Sequence, residues 1–246
     1  MKLSIVTWNM DTWKRTHPQR KAAWTYLTME ISADIMLLQE FAPQSQTDDQ
    51  YSVLYREIGG KRKWGSAVAT RGLPICEVKF NNSYPGAVIA ADVHLPDGGV
   101  LTVISLYGMF DEENYVTAAL HRVLSDLTLL LHKDRNKRLF VIAGDYNASK
   151  QWDEVYRNQY PAHRIFFERL EDFGLVDCTM QYFQKPVQTN RHANSNFPWQ
   201  NDYIHVSKKL AVNLESCEVK DDSRVRELSD HNPVIATFQF PISAAR

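Results

Sequence analysis

Apolar runs of strand length alternate with stretches of helical spacing along the first part of the chain. Leu3–Trp8 and Ile35–Leu38 are compact apolar runs, and polar residues follow each of them directly. Between them, apolar residues recur at helical spacing from Pro18 to Ile31. The pattern therefore predicts a strand, a helix and a second strand.

A block of strand and turn signals follows a polar loop at 41–50. The sequence Pro96-Asp97-Gly98-Gly99 between two apolar runs is typical of a hairpin turn. The predicted strands of this block are Tyr51–Tyr55, Trp64–Thr70, Ile75–Phe80, Ala87–His94 and Val100–Tyr107.

The second half of the chain predicts two longer helices and four strands. Leucines and valines on one side indicate an amphipathic helix from about Asn114 to His132. A second helix is predicted at Arg164–Phe173, with Gly174 as its C-cap, and a polar loop at 184–200. The strands are Leu139–Ala143, Asp202–Val206, Val212–Val219 and Val234–Phe240.

The order of these elements favours two sheets packed face to face with helices outside. No repeat, low-complexity tract or linker interrupts the pattern, so we predict one domain over residues 1–246.

Composition narrows the class of protein. The chain has 246 residues, 44% of them hydrophobic, which is enough for a full core. The net charge of −1 provides no general attraction to nucleic acid, so any such binding must come from local patches. Cys76, Cys178 and Cys217 have no metal-ligand spacing, and neither a signal peptide nor a membrane-length run is present. We therefore expect a cytoplasmic protein with buried thiols and no membrane contact.

Acidic and amide side chains follow several of the predicted strands. Strand ends are where α/β sheets build their sites, and oxygen ligands suit Mg²⁺. No cluster of Cys and His indicates zinc. One such carboxylate alone is typical of a turn or a helix cap, so the prediction depends on the whole set. The set is Asn9, Asp11, Glu40, Asp145, Asn147, Asp202, Asp230 and His231.

Five motifs carry these residues in a fixed order. They are Trp8-Asn9-Met10-Asp11, Leu38-Gln39-Glu40, Gly144-Asp145-Tyr146-Asn147, Asn201-Asp202-Tyr203-Ile204 and Ser229-Asp230-His231-Asn232-Pro233. Together they resemble the endonuclease/exonuclease/phosphatase superfamily of exonuclease III, DNase I, inositol-polyphosphate 5-phosphatases and neutral sphingomyelinases. The resemblance implies a DNase I-like four-layer α/β sandwich, two packed and mostly antiparallel sheets flanked by helices. It also implies Mg²⁺- or Mn²⁺-dependent cleavage of a phosphate ester.

The resemblance also implies a metal side for the site. Glu40 would be the main metal ligand, Asn9 and Asp11 would support the metal and its waters, and Asp230 would complete the set. Such a cation would neutralise charge on the phosphoryl oxygens.

The remaining motif residues would act on the water and the phosphate. Asp145 would orient or deprotonate the attacking water, and Asn147 would hydrogen-bond the phosphate or the water. His231 would contact the phosphoryl oxygens, with Asp202 holding its ring in the charged form.

Tyr107 is the last residue of the predicted strand Val100–Tyr107, and it favours one branch of the superfamily. This place is commonly Tyr in exonuclease III-like and retroelement endonucleases, and commonly His in DNase I, the sphingomyelinases and the phosphatases. Two departures argue against dedicated abasic-site repair. Phe41-Ala42-Pro43 stands where that branch usually has a Lys, and Gln200-Asn201 replaces a common Arg or Trp.

Several basic and aromatic residues are candidates for substrate binding, although solvated charge runs explain them equally well. They are Lys14, Arg15, Lys61, Arg62, Lys63, Trp64, Arg191 and Trp199. The leading hypothesis is a nuclease that acts on DNA or RNA. The alternatives are a phosphatase or phosphodiesterase for a phospholipid, an inositol phosphate or a protein–nucleic acid adduct, and a non-catalytic binding module.

Overall fold

Two six-stranded sheets form the centre of the computed structural model, which describes residues 1–43, 50–112, 115–133, 139–157 and 160–240. The first sheet contains β1 (Lys2–Asn9), β2 (Ile35–Phe41), β3 (Tyr51–Gly59), β4 (Arg62–Arg71), β11 (Leu214–Val219) and β12 (Val234–Gln239). The second contains β5 (Ile75–Glu77), β6 (Val88–His94), β7 (Val100–Tyr107), β8 (Leu139–Asp145), β9 (Leu175–Asp177) and β10 (Asp202–Ser207).

The helices lie outside these sheets or in their connections. In chain order they are α1 (His17–Thr25), α2 (Thr117–Lys133), α3 (Trp152–Val155), α4 (Ala162–Asp172), α5 (Cys178–Phe183), α6 (Lys208–Ala211) and α7 (Ser223–Leu228). A π-helical segment, Tyr26–Ile31, continues α1. No helix within the described ranges combines the length and the apolar character that crossing a membrane requires.

Three apolar clusters produce the four layers. Alternate residues of β1 show the principle: Leu3 and Ile5 pack between the two sheets, whereas Val6 and Trp8 pack beneath α1 and α7. On the other side, α2 and α4 cover the outer face of β7 and β8. Both faces of the central strands are thus covered, which is why they appear in the sequence as continuous apolar runs. The predicted four-layer sandwich is confirmed.

Each sheet has one parallel pair of strands at its centre. The orders are β11-β12-β1-β2-β4-β3 and β5-β6-β7-β8-β10-β9. The pairs β1–β2 and β7–β8 are parallel, and their neighbours β12, β4, β6 and β10 pair antiparallel to them. The sheets are therefore mostly antiparallel, as predicted.

Several boundaries differ from the prediction. The predicted strand Ile75–Phe80 ends at Glu77, because β5 is an edge strand and a turn-forming Asn-Asn-Ser segment follows. The strand predicted from Val212 begins at Leu214, since α6 ends just before Val212 and leaves its side chain exposed.

The predicted start of α2 at Asn114, and positions 44–49 of the predicted loop, lie outside the described residues. Gly174 ends α4 with a positive φ of 78°, as predicted. The sequence pattern did not indicate β9 and α5, because both are short. The strand β9 has three residues, fewer than an average strand, and the helix α5 has six, fewer than two helical turns.

Candidate active site

The topology brings the ends of four central strands to one edge of the sandwich. The parallel strand β1 ends at Asn9, which pairs with Gln39 of β2, and Glu40 is the next-to-last residue of β2. The parallel strands β7 and β8 end at Tyr107 and Asp145, which are paired in the second sheet. Because the two sheets stack face to face, these four polar residues meet across the interface.

Two antiparallel strands bring their beginnings to the same edge. Asp202 starts β10 and pairs with Asp145 of β8. His231 lies three residues before the start of β12, which runs antiparallel to β1, and its carbonyl accepts the Trp8 indole N–H at 2.9 Å. Ser229 secures the same turn, since its hydroxyl donates to the Asn9 carbonyl at 2.8 Å and accepts the His231 N–H.

The backbone at three site residues is held in the left-handed conformation. Asp11, Glu40 and Asn147 have φ values of 45°, 46° and 50°, which non-glycine residues seldom adopt. At Glu40 the β2–β4 register shifts between Leu38 and Phe41, a bulge that turns its side chain toward the interface. Strain of this kind costs about 1–3 kcal/mol per residue and concentrates at functional sites.

Asn9 connects the two sheets. Its amide nitrogen donates to Asp145 Oδ2 at 2.8 Å and to Glu40 Oε1 at 3.2 Å, and its oxygen accepts the Asp11 N–H at 2.9 Å. All four residues are buried. Burial raises the pKa of both Glu40 and Asp11 above ordinary values, and their acidic neighbours add to this effect.

Two cations predicted to bind substrate contact these acids. The Lys14 ammonium lies 2.8 Å from Asp230 Oδ2 and 3.5 Å from Asp11 Oδ1, and Arg15 pairs with Asp11 at 2.6 Å. Burial favours the neutral acid of Asp230, but the charges of His231 and Lys14 outweigh it and lower its pKa. We refer to the carboxylates of Asp11, Glu40 and Asp230 as the acidic pocket. The pairing of Lys14 and Arg15 with its carboxylates shows that the acidic pocket attracts positive charge.

His231 forms a buried ion pair with Asp202. Its Nδ1 lies 2.8 Å from Asp202 Oδ2, and its Nε2 lies 3.8 Å from Asp145 Oδ2. Burial favours the neutral ring, but the carboxylates of Asp202 and Asp145 outweigh it and raise the pKa of His231 to about 10. The ring is thus a cation at neutral pH.

Asp145 is held on both carboxylate oxygens. Asn9 donates to Oδ2, and the backbone N–H of Asn147 donates to Oδ1 at 2.8 Å. Burial, opposed by the charge of His231, raises the pKa of Asp145 to about 7. Burial also raises the pKa of Tyr107 well above its ordinary value, so its hydroxyl remains a proton donor beside Glu40 and Asp145.

Two sets of residues could hold a metal. Glu40 Oε2 is a buried acceptor without a hydrogen-bond partner among the described residues, and Asp11 Oδ1 is a buried oxygen that the Lys14 ammonium approaches to 3.5 Å. Oxygens of this kind fit a hard cation. Asp145, Asp202 and His231 also place ligand atoms within 4.8 Å of one another. The second set fits less well, because a metal requires a neutral imidazole and His231 is charged.

The basic run predicted to bind substrate borders the acidic pocket. Lys61, Arg62 and Lys63 line a cavity of about 510 Å³ together with Glu40 and Tyr107. Trp64 lines the same cavity, packs edge-on against Tyr107 at 5.2 Å, and carries the Arg62 guanidinium 5.8 Å above its ring. We refer to this space as the cationic cavity.

The other two substrate candidates differ in their surroundings. Arg191 hydrogen-bonds to Asp221, to Asn232 and to the Ser229 carbonyl, so its guanidinium holds the His231 turn. A substrate role for Arg191 stays a prediction, and these contacts do not support it. Trp199 is buried, and together with Asn147 it lines a second cavity, which is separate from the cationic cavity.

Asn190 belongs to the site, although the sequence did not indicate it. Its side-chain amide lies 2.8 Å from Nε2 of His231, and the two residues form an isolated β-bridge. Because the charged ring donates from Nε2, the amide accepts through its oxygen. Asn190 lies in the polar segment 184–200, where several asparagines look alike in sequence. Only the bridge to His231 distinguishes it from the others.

Comparisons with known proteins agree with this fold. No curated protein matches the chain significantly. The fold is similar to AP endonuclease LMAP from Leishmania major, with a TM-score of 0.74, 17% identity, and 98% of this chain and 88% of that chain covered. The 3′ phosphatase NExo from Neisseria, bound to product DNA hairpin, has a TM-score of 0.75 and 19% identity, with 97% and 100% covered. An AP endonuclease from Archaeoglobus fulgidus has a TM-score of 0.71 and 19% identity, with the same coverage.

At these identities the similarity of structures shows the fold. The sequence itself matches the model of one family, the Endonuclease/Exonuclease/phosphatase family, over residues 6–231. That span begins in β1 and ends at His231, so it includes every strand end that contributes to the site. The chain therefore belongs to the Endonuclease/Exonuclease/phosphatase family, a group of phosphoester hydrolases, as its five motifs predicted.

Proposed function

We propose that this protein is a divalent-metal-dependent phosphodiester hydrolase whose substrate is a nucleic acid strand. The observation that carries the proposal is the juxtaposition of Asp145, the Asp202–His231 pair and the acidic pocket around Glu40. A base, a cationic donor and a set of oxygen ligands are the groups that water attack on a phosphodiester requires.

Glu40, Asp11, Asn9 and Asp230 would hold the metal, either Mg²⁺ or Mn²⁺. The buried, unpartnered Oε2 of Glu40 supports this assignment, as does the Lys14 ammonium, which lies between Asp11 and Asp230 and shows that this place accepts a positive charge. When bound, the cation would polarise the phosphoryl group and neutralise its developing charge.

Asp145 is the proposed base. Water would attack phosphorus and pass a proton to this carboxylate, while the bond from phosphorus to the leaving oxygen breaks. A pKa of about 7 suits a base that works near neutral pH. Asn9 and the Asn147 N–H fix its orientation, and the side chain of Asn147 is fixed in turn by the Gly108 carbonyl at 3.1 Å.

His231 is the proposed donor to the phosphoryl oxygens. Asp202 keeps the ring charged and occupies Nδ1, so Nε2 faces Asp145 and Asn190. Tyr107 stays protonated and can donate to the phosphate or to the leaving oxygen from the other side of Asp145. Together these donors would stabilise the charge that forms during the reaction.

The cationic cavity supports a nucleic acid substrate. Lys61, Arg62 and Lys63 can neutralise backbone phosphates, and Trp64 offers a ring beside them. The similar fold from Neisseria was determined with product DNA hairpin bound, which supports the same substrate class here.

A substrate screen tests the proposal. Labelled single- and double-stranded DNA and RNA, an inositol polyphosphate and a phospholipid are incubated with Mg²⁺, Mn²⁺ or EDTA. We expect metal-dependent cleavage of an oligonucleotide, and we expect Asp145→Asn to lose turnover while it still binds that oligonucleotide.

Cleavage of only the inositol polyphosphate or the phospholipid would refute the nucleic acid assignment in favour of the phosphatase alternative. No cleavage of any phosphoester would favour a binding module. Asp111→Asn, a change of the same chemistry at an exposed site, serves as the matched control.

A further inference from the structure

The second cavity, of about 480 Å³, is lined by proposed site residues other than those that line the cationic cavity. Asn147 and Asn190 belong to its wall, whereas Glu40 and Tyr107 belong to the wall of the cationic cavity. The two cavities share no lining residue, and residues of the proposed catalytic centre line each of them. Its volume is within the range of about 300–1,000 Å³ that small-molecule sites have.

Aromatic rings dominate the wall of this second cavity. Trp152 stands 5.5 Å from Trp199 and 4.4 Å from Tyr156, measured between ring centroids. Several of the rings are exposed to solvent, with Tyr160 exposed to 77% of its full surface. The six aromatic residues are Phe110, Tyr115, Trp152, Tyr156, Tyr160 and Trp199. Such a concentration of exposed apolar surface is typical of a binding site.

The second cavity also differs from the cationic cavity in its charged residues. None of its described lining residues is Lys, Arg, Asp or Glu. Burial lowers the pKa of His163, which stacks on Trp152, so its ring is neutral at neutral pH. The amides of Asn194 and Asn201 line the same space and can both donate and accept hydrogen bonds. An anionic group would find no Lys or Arg partner among these lining residues.

We propose that the second cavity binds the unpaired base of a nucleotide beside the scissile phosphate, an inference that rests on the proposed function. A nucleobase is planar, stacks on aromatic rings and carries donors and acceptors that amides can read. A base inside a duplex keeps its faces covered by its neighbours, so the base that enters must be single-stranded or extrahelical. The substrate is thus a strand with phosphates in the cationic cavity and a free base in the second.

A comparison of two ligands with equal numbers of phosphates tests this inference. One is a single-stranded oligothymidine, and the other has the same length with tetrahydrofuran abasic residues in place of thymidine. Both carry the same label, and affinity is measured in Ca²⁺ to prevent turnover. We expect the full-length protein to bind oligothymidine at least about tenfold more tightly, the ratio that about 1.4 kcal/mol of stacking produces.

Two variants separate the cavities. Phe110→Ala with Tyr156→Ala removes two exposed rings, and it should abolish the preference for bases while abasic binding is unchanged. Lys61→Ala is the control in the cationic cavity, and it should weaken both ligands alike.

Equal affinity of the wild type for both ligands would overturn the inference, as would a double variant that weakens both ligands alike. Cleavage of phosphodiesters in Mg²⁺ without a preference for bases would refute the inference alone. A preference for bases without any cleavage would support the base-binding cavity and refute the proposed hydrolase.

Discussion

The charge of His231 depends on Asp202, and Asp202→Asn tests this dependence directly. The change keeps the shape of the side chain but removes the negative charge 2.8 Å from Nδ1. Both groups are buried, with Asp202 fully inaccessible, so solvent cannot replace the lost charge. We expect the pKa of His231 to fall steeply.

The structure gives the magnitude of this fall. Opposite charges 2.8 Å apart attract by roughly 6 kcal/mol at an effective dielectric constant of about 20, equal to about four pKa units. Burial alone favours the neutral ring, so the pKa should fall from about 10 to its ordinary value of 6.5 or below. At pH 8 the charged fraction then falls roughly thirtyfold, and turnover should fall by a similar factor.

Nuclear magnetic resonance provides the primary assay. The titration of His231 is followed by its ring resonances in wild type and variant, and His205 serves as an internal control. His205 is a second buried histidine, and burial lowers its pKa to about 4. The charges that act on it are those of Asp177 and Lys150, so the loss of the Asp202 charge should leave it unaffected. Turnover is measured in parallel at pH 6 and pH 8. The deficit of the variant should be smaller at pH 6, where its ring regains a proton.

An unchanged titration of His231, or a deficit independent of pH, would refute the reasoning. Stability offers a second check. The pKa of His231 is higher in the fold than in the unfolded chain, so the pair stabilises the fold fully below about pH 6.5. This contribution is lost as the pH rises through about 10, and the difference in unfolding free energy between wild type and variant should shrink there.

Three further predictions concern the metal, the backbone and the substrate. Glu40→Gln removes a ligand charge and should weaken Mg²⁺ binding at least about tenfold in calorimetry, and an unchanged affinity would exclude Glu40 from the metal site. Gly144→Ala places a methyl group 1.8 Å from the Leu106 carbonyl and should lower the unfolding free energy by about 3 kcal/mol in urea denaturation. Gly98→Ala has a positive φ but open space around it, and it is the matched control that should cost less. Alanine at Lys61–Lys63 should flatten the log–log salt dependence of oligonucleotide binding, which we expect to reflect about two to four phosphates, and an unaltered slope would place the strand elsewhere.

The periodicity of the sequence determined the local elements and the faces that they bury. Continuous apolar runs such as Leu139–Ala143 indicated strands covered on both sides, and β8 has that environment. The leucines of the helix that ends near His132 indicated its buried side in the same way. Local patterns suffice here, because side-chain direction follows from the repeat of a strand or a helix.

The five motifs also identified most of the residues that meet at the sheet edge. They did so because each motif directly follows or precedes an apolar run, and a strand end is visible in the sequence. The charges of Arg191 and Lys14 predicted substrate contact, and this stays a prediction. Only the fold revealed that Arg191 contacts the His231 turn and that Lys14 pairs with the acids.

Only the tertiary structure decided the charge states and the grouping of distant segments. Asn190 contacts His231, although the two residues are forty-one positions apart in the sequence. The second cavity likewise combines Phe110, which follows β7, with Trp152 of α3 and with Trp199, which precedes β10. The pKa of His231 likewise depends on two carboxylates and on burial. Strand order and the contacts between distant segments result from non-local pairing, and no periodicity within one segment encodes them.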